Sequence, residues 1–447
     1  MKKFFEIYFP FYKSNLALAV PVMISQLGQS VVMMADNIMT GVLGTVPLAA
    51  TSFANAVFII GFVLAQGIAF GATPLVGPNY ATGKHRKSAN LFQHSFIVNL
   101  CVALVVGTIM YSVSFYMDRL GQDADVCALA VPYYRVLVVS LVPYMIFLSF
   151  KQFLEGVGNT RYAMIITIIC NLINILFNYL LIFGKCGFTE MGVTGAGVSS
   201  LISRICMPLL YVVLFIKRDS LRRYFYFFRR KDINWADLKK LSSVGLPIGA
   251  QMSVECGVFG ISTIMAGWFG AVQQASHQIA LSVSTMTFMV VCGIGSASTI
   301  LVSHCYGRGE ILKMKRSAYA TIQITFVYSL LCCLTVLLTR FYVPRIFSSD
   351  SEVLGLAAVL FVFMGIYQIA DAMQSVLIGI LRGMADVTAT MLITLFSYVF
   401  VDLPVSYVVS VRLGYGAIGI WIGFCAGLYT LSLLLAIRFF LKTRHLK

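Results

Sequence analysis

Asp36, Glu255, Asp371 and Asp402 are carboxylates embedded in apolar runs. Asp36 stands in LALAVPVMISQLGQSVVMMADNIMTGVL, residues 16–43, which also carries Gln26, Gln29 and Asn37. A carboxylate at membrane depth costs roughly 2.5–3.5 kcal/mol on insertion scales, so each is a candidate functional group. The chemistry open to it is to hold a cation or a proton, with amide and hydroxyl oxygens completing the set. Asn174 and Asn178 are spaced i, i+4 and share one helical face. Tyr367 precedes Asp371 by one turn on a common face and adds a hydroxyl or a ring.

Long apolar helices must position these groups. Hydrophobic residues make up 59% of the 447-residue chain and charged residues 11%, where a soluble domain carries about 25% charged residues. The fold class is therefore an all-α polytopic membrane protein; barrel strands would be short and alternating. Twelve spans are read, six at 16–43, 48–75, 92–116, 128–152, 161–184 and 193–216. Six more follow at 241–268, 274–304, 317–339, 352–381, 388–411 and 416–441.

Depth then groups the candidates. Asp36 lies about seven residues before the outer end of the first span, and Asn174 and Asn178 about ten and six before that of the fifth. At 1.5 Å rise per residue the three sit at similar depth. Helix-to-helix hydrogen bonding is the other role open to the two asparagines. Glu255 and Asp371 both fall near the midplane of their spans, the seventh and tenth. Asp402 lies midway along the eleventh; it extends this second network or serves a structural role beside Pro404, whose ring frees a backbone carbonyl.

The formal net charge is +16, with basic residues between the spans, a pattern of membrane topology rather than nucleic-acid binding. Lys84, Arg86, Lys87, Arg308, Lys313, Lys315, Arg316 and the tail residues Lys442, Arg444 and Lys447 share one side with Lys2 and Lys3. Arg222, Arg223, Arg229, Arg230 and Lys231 join them from the link at 217–240. The positive-inside rule puts both termini in the cytoplasm of a cytoplasmic (inner) membrane. The link alternates aromatic and basic residues, as an interfacial helix on anionic lipid does. It divides a six-helix lobe at 1–216 from another at 241–447. The basic amino terminus lacks a short apolar core with a cleavage site and is read as retained. The eleven cysteines lack metal-type spacing and read as buried apolar side chains.

The lobes are repeats. A 226-residue shift lays Pro21 on Pro247, Gly41 on Gly267, Gly67 on Gly293 and Thr73 on Thr299. It also lays Tyr80 and Gly83 of YATGK on Tyr306 and Gly309 of YGRGE, and a shift of 227 lays LEGVGNT (154–160) on LRGMADV (381–387). Parallel six-helix repeats are a transporter architecture. The order and spacing of these motifs, with PVMISQLGQSVVMMADNIMTGVLG in the first span, resemble the MATE (multidrug and toxic compound extrusion) family, and its NorM branch most, over essentially the whole chain.

The resemblance implies secondary antiport, with cytosolic organic cations or amphipathic drugs leaving as Na+ or H+ enters. It implies two lobes around a central cavity open to either side in turn. It also implies a cation or proton site at Asp36, Asn174 and Asn178, and a second at Glu255, Asp371 and Tyr367. Na+ is a candidate ion at Glu255, Asp371 and Asp36. Under the 226-residue shift Glu255 falls on Gln29 and Asp36 on Ser262, so the lobes have diverged in charge, and Gln29 joins the candidates. A monomer without cofactor is expected.

A lipid-linked saccharide or other lipid flippase of the same superfamily is the alternative, and it would call for basic cavity residues. Only Arg204 and Lys151 qualify, and each reads more simply as pairing with an acid or snorkelling. His94, His277 and His304 read as structural. An enzyme is not expected, since the chain has no Ser-His-Asp arrangement, HExxH spacing or phosphate loop.

Overall fold

In hydrocarbon every peptide N–H and C=O must be satisfied within the chain, and a helix does this locally. The computed structural model, which describes residues 2–228, 230–444 and 446, follows that rule along each apolar run. The first half holds α1 (Lys2–Val42), α2 (Thr45–Ala69), α3 (Thr73–Ala81), α4 (His85–Val113), α5 (Ala124–Val139), α6 (Leu141–Gly156), α7 (Thr160–Ile182) and α8 (Gly192–Lys217). The link carries α9 (Asp219–Tyr226). The second half holds α10 (Trp235–Gly267), α11 (Ala271–Gly307), α12 (Ile311–Thr339), α13 (Ser351–Gly383), α14 (Val387–Leu395), α15 (Leu403–Tyr407) and α16 (Ala417–Arg444).

Among the described residues, 12 stretches are long and apolar enough to cross a membrane, and each coincides with a run read from the sequence. The largest extension is in α1, which starts at Lys2 and continues through Pro10 and Pro21. Three spans are interrupted. The second breaks at residues 70–72, just before Pro74, and the fourth breaks at Ser140. The eleventh turns π-helical over Phe396–Asp402 and Val408–Arg412, on either side of Pro404, where a missing N–H disturbs the regular ladder. In the link, α9 buries Leu221 and Tyr224. Arg229 and Lys447, counted above among the basic residues, lie outside the described residues.

The repeat is visible in the turns. Gly83 and Gly309 take φ of 74° and 72°, the left-handed conformation that glycine adopts freely after a helix. The next residue closes each turn alike, Lys84 N–H on Asn79 O at 2.9 Å and Glu310 N–H on Cys305 O at 3.0 Å.

By their contacts the residues form two units, Ile24–Gly249 and Met1–Met23 with Ala250–Lys447. Thus α1 and α10 each contribute to both. Within the first unit, a Cβ on Gly67 would stand 2.5 Å from Gly249 Cα, so α2 and α10 touch backbone to backbone. Within the other, a Cβ on Gly293 would stand 2.7 Å from the Met23 nitrogen, so α11 and α1 touch likewise. The 226-residue shift relates both partners of one contact to those of the other.

Aromatic side chains fill both cores. Phe92 stacks on Phe153 at 4.3 Å and meets Phe150 and Phe215 at 5.4 and 5.5 Å. In the second unit Trp421 and Phe424 of α16 pack on Tyr367 of α13, the three rings at 5.4–5.9 Å.

Candidate functional site

The first candidate site lies within Ile24–Gly249. Helix α1 supplies Asp36 and α7 supplies Asn174 and Asn178, and their common depth brings them together. The Asn178 amide nitrogen donates to Asp36 Oδ1 and to Asn174 Oδ1 at 3.2 Å. Asn174 donates onward to the hydroxyls of Ser199 and Ser200 on α8 at 3.3 and 3.4 Å. The three groups therefore form a relay rather than a converging set of oxygens. The Asn174 oxygen is taken by its neighbour, while the Asn178 oxygen is buried with no partner among the described residues. Gln29 takes no part in these bonds among the described residues.

The second site lies within the other unit, between α10 and α13. Tyr367, Asp371 and Gln374 follow one face of α13 at i, i+4 and i+7. Gln374 Nε2 donates to Asp371 Oδ1 at 3.2 Å and to Glu255 Oε1 at 3.4 Å, so one amide bridges two carboxylates. Tyr367 stands one turn before Asp371 on α13, within interaction range of its carboxylate. Asp371, Gln374 and Tyr367 are all buried, and Glu255 is half-buried. Arg382, two turns beyond Gln374, donates to Gln251 Oε1 at 3.3 Å and lies within charge range of Glu255. Two carboxylates against one guanidinium leave the cluster one negative charge in excess when both acids are ionised, which suits one monovalent cation.

Asp402 accepts from the Ser406 hydroxyl at 3.0 Å, and its other oxygen is buried without a partner among the described residues. Its charge reaches Tyr367 and Tyr398. Asp402 thus borders the cluster through tyrosines and is bonded locally to its own helix.

Gln374, Arg382 and Tyr398 escaped the reading of the sequence. Arg382 had a signal, because laying LRGMADV on LEGVGNT sets it on Glu155, a charge in both halves. Glu155 itself pairs with Lys151 at 3.9 Å, both side chains nearly inaccessible. Gln152 holds its second oxygen at 3.3 Å and accepts in turn from Thr73 at 2.6 Å. Arg204 is different: its Nη1 donates to Ser140 at 2.7 Å, and its guanidinium stands among three aromatic rings. His94 is structural, with Nδ1 2.7 Å from Asn90 O and Nε2 accepting from the Asn234 N–H at 3.0 Å.

The MatE family model matches residues 21–180 and 247–408, one stretch in each repeat. The chain is 29% identical over 433 residues to a probable multidrug resistance protein NorM of Mannheimia succiniciproducens, covering 96% of this chain and 93% of that protein. It is 28% identical over 432 residues to the multidrug resistance protein NorM of Photobacterium profundum, covering 95% and 94%. Among solved structures, a Vibrio cholerae MATE transporter, VcmN, superposes with a TM-score of 0.90 at 15% identity over 98% of both chains. A MOP superfamily transporter from Pyrococcus furiosus superposes at 0.88 with 20% identity, over 98% of this chain and 96% of that one. These likenesses show the fold. With a helical fold built from two repeats and a family model matched in both halves, the chain belongs to the MatE family.

Proposed function

We propose that the protein is a secondary active antiporter, exporting cationic or amphipathic drugs and toxic organic compounds across a cytoplasmic membrane in exchange for Na+ or H+. The observation that carries this reading is the Glu255–Gln374–Asp371 bridge. A largely buried cluster with one excess negative charge holds a cation tightly enough to take it up and is left unbalanced when the cation departs. That imbalance is what couples occupancy to a change of state. A proton would sit on a carboxylate oxygen; sodium would draw on both carboxylates and the Tyr367 hydroxyl. Asp36, with its asparagine relay, forms a second and unequal ion site.

The multidrug resistance proteins at 28–29% identity support export of drugs. The flippase reading has less support, since Lys151 is paired with Glu155 and the guanidinium of Arg204 is held over aromatic rings. We further place both termini in the cytoplasm, from the basic loops, and take the working unit to be a monomer.

The test is efflux of a fluorescent organic cation from vesicles holding the purified chain, with sodium and proton gradients imposed separately. One gradient drives efflux in the wild type, and Asp371→Asn or Glu255→Gln reduces it to the background of empty vesicles. Full gradient-driven efflux by either variant would overturn the assignment.

A further inference from the structure

The guanidinium of Arg204 on α8 lies 5.4 Å from the ring centre of Phe58, 5.3 Å from that of Phe62 and 5.3 Å from that of Tyr144. Phe62 packs on Phe58 at 5.2 Å and on Tyr144 at 4.9 Å, so the three rings form a continuous wall. The side chain of Arg204 makes one hydrogen bond, to Ser140, and no ion pair among the described residues. Its neighbours in charge are Tyr144, Tyr133 and Asp36. A cation over aromatic faces is held by the ring quadrupoles, the same physics by which aromatic cages recognise quaternary ammonium ligands. Arg204 and Phe62 are only half-buried, so the cage is open on one side.

The repeat gives this cage a second meaning. The 227-residue shift lays Ser140 on Tyr367 and Tyr144 on Asp371; the 226-residue shift lays Phe58 on Ser284, and Ser284 neighbours Tyr367. Tyr144 of the cage therefore occupies, in the first half, the position at which the second half carries Asp371. One half leaves a negative cluster for a cation to fill. The other has rings there, and fills them with a cation of its own.

We propose that the Phe58–Phe62–Tyr144 cage is a binding site for quaternary or delocalised organic cations, and that Arg204 is its tethered resident, displaced toward Asp36 when such a cation enters. Among the described residues, the carboxylate within charge range of Arg204 is Asp36, which makes it the acid that can receive the displaced guanidinium. Occupying the rings would then place a positive charge on the carboxylate to which the antiport reading assigns the coupling ion. Organic cation and coupling ion would exclude one another without sharing a contact. This proposal rests on that reading for its physiological sense, but the binding it predicts needs no gradient.

The experiment is calorimetric titration of the purified full chain with tetramethylammonium, at one fixed pH and without sodium. Arg204→Ala vacates the cage and binds about tenfold more tightly than wild type. Adding Phe58→Leu cancels most of that gain. Asp36→Asn weakens binding about threefold where Arg204 is present, because the displaced guanidinium loses its acceptor, and has no effect in Arg204→Ala. Equal or weaker binding by Arg204→Ala, or a gain that survives Phe58→Leu, would overturn the proposal. Should Arg204→Ala aggregate, Arg204→Gln removes the charge at nearly constant length and must show the same direction of change. Efflux without the binding gain would sink this inference alone; the gain without efflux would sink the antiport alone.

Discussion

Gln374 offers the sharpest test of the second site, because one side chain touches both acids. Its amide is 1% exposed and donates at 3.2 Å to Asp371 and 3.4 Å to Glu255. A hydrogen bond to a charged group contributes about 1.5–3 kcal/mol. Both bonds here are long, so we take the lower end, about 1.5 kcal/mol, for the pair together. Gln374→Leu keeps the volume and the helix but removes the donor. The carboxylates then lose a stabilising partner that an arriving cation would otherwise have to match. The cation is held more tightly by that amount, close to tenfold at about 1.4 kcal/mol per decade. In vesicles, the concentration of coupling ion giving half-maximal efflux falls about tenfold, and the maximal rate falls as release slows. An unchanged or raised half-saturating concentration, in protein that elutes as wild type does, would refute the placement of Gln374 as the bridge between the acids.

Two further predictions concern charge pairs outside the cation sites. Lys151→Met leaves Glu155 buried and uncompensated, at a cost of about 3–5 kcal/mol; thermal unfolding in detergent registers the loss, and Lys151→Met with Glu155→Leu recovers most of it. Asp386, in the turn between α13 and α14, is pushed up by burial. Bonds from Arg438 at 2.9 and 3.2 Å and from Lys442 at 3.2 Å outweigh that effect and hold its carboxyl below the usual carboxylate range. A depressed folded value means the contribution is full above about pH 4, the unfolded value, and is lost as pH falls through the folded one. Asp386→Asn therefore unfolds more readily at neutral pH and matches wild type in strong acid. The gap is about 1 kcal/mol or less, because the Arg438 side chain is 42% exposed. An equal gap at every pH would contradict this.

The chain order of apolar runs was enough to establish the twelve spans, because hydropathy and helix formation in lipid are local properties. The two repeats, the turns at Gly83 and Gly309, and the shared depth of Asp36, Asn174 and Asn178 were legible for the same reason. What each polar side chain does was not, because that depends on which helix faces which. The asparagines were read as oxygen ligands, yet Asn178 turns its nitrogen to Asp36. Arg204 looked like a side chain seeking an acid or the headgroups, and packing sets it over three rings. Glu255 and Asp371 are 116 residues apart in sequence, and it takes the facing of α10 and α13 to set one glutamine between them. A residue's depth follows from its position along a helix. Its partners follow from the rotation and crossing of that helix against its neighbours, which only the tertiary structure decides.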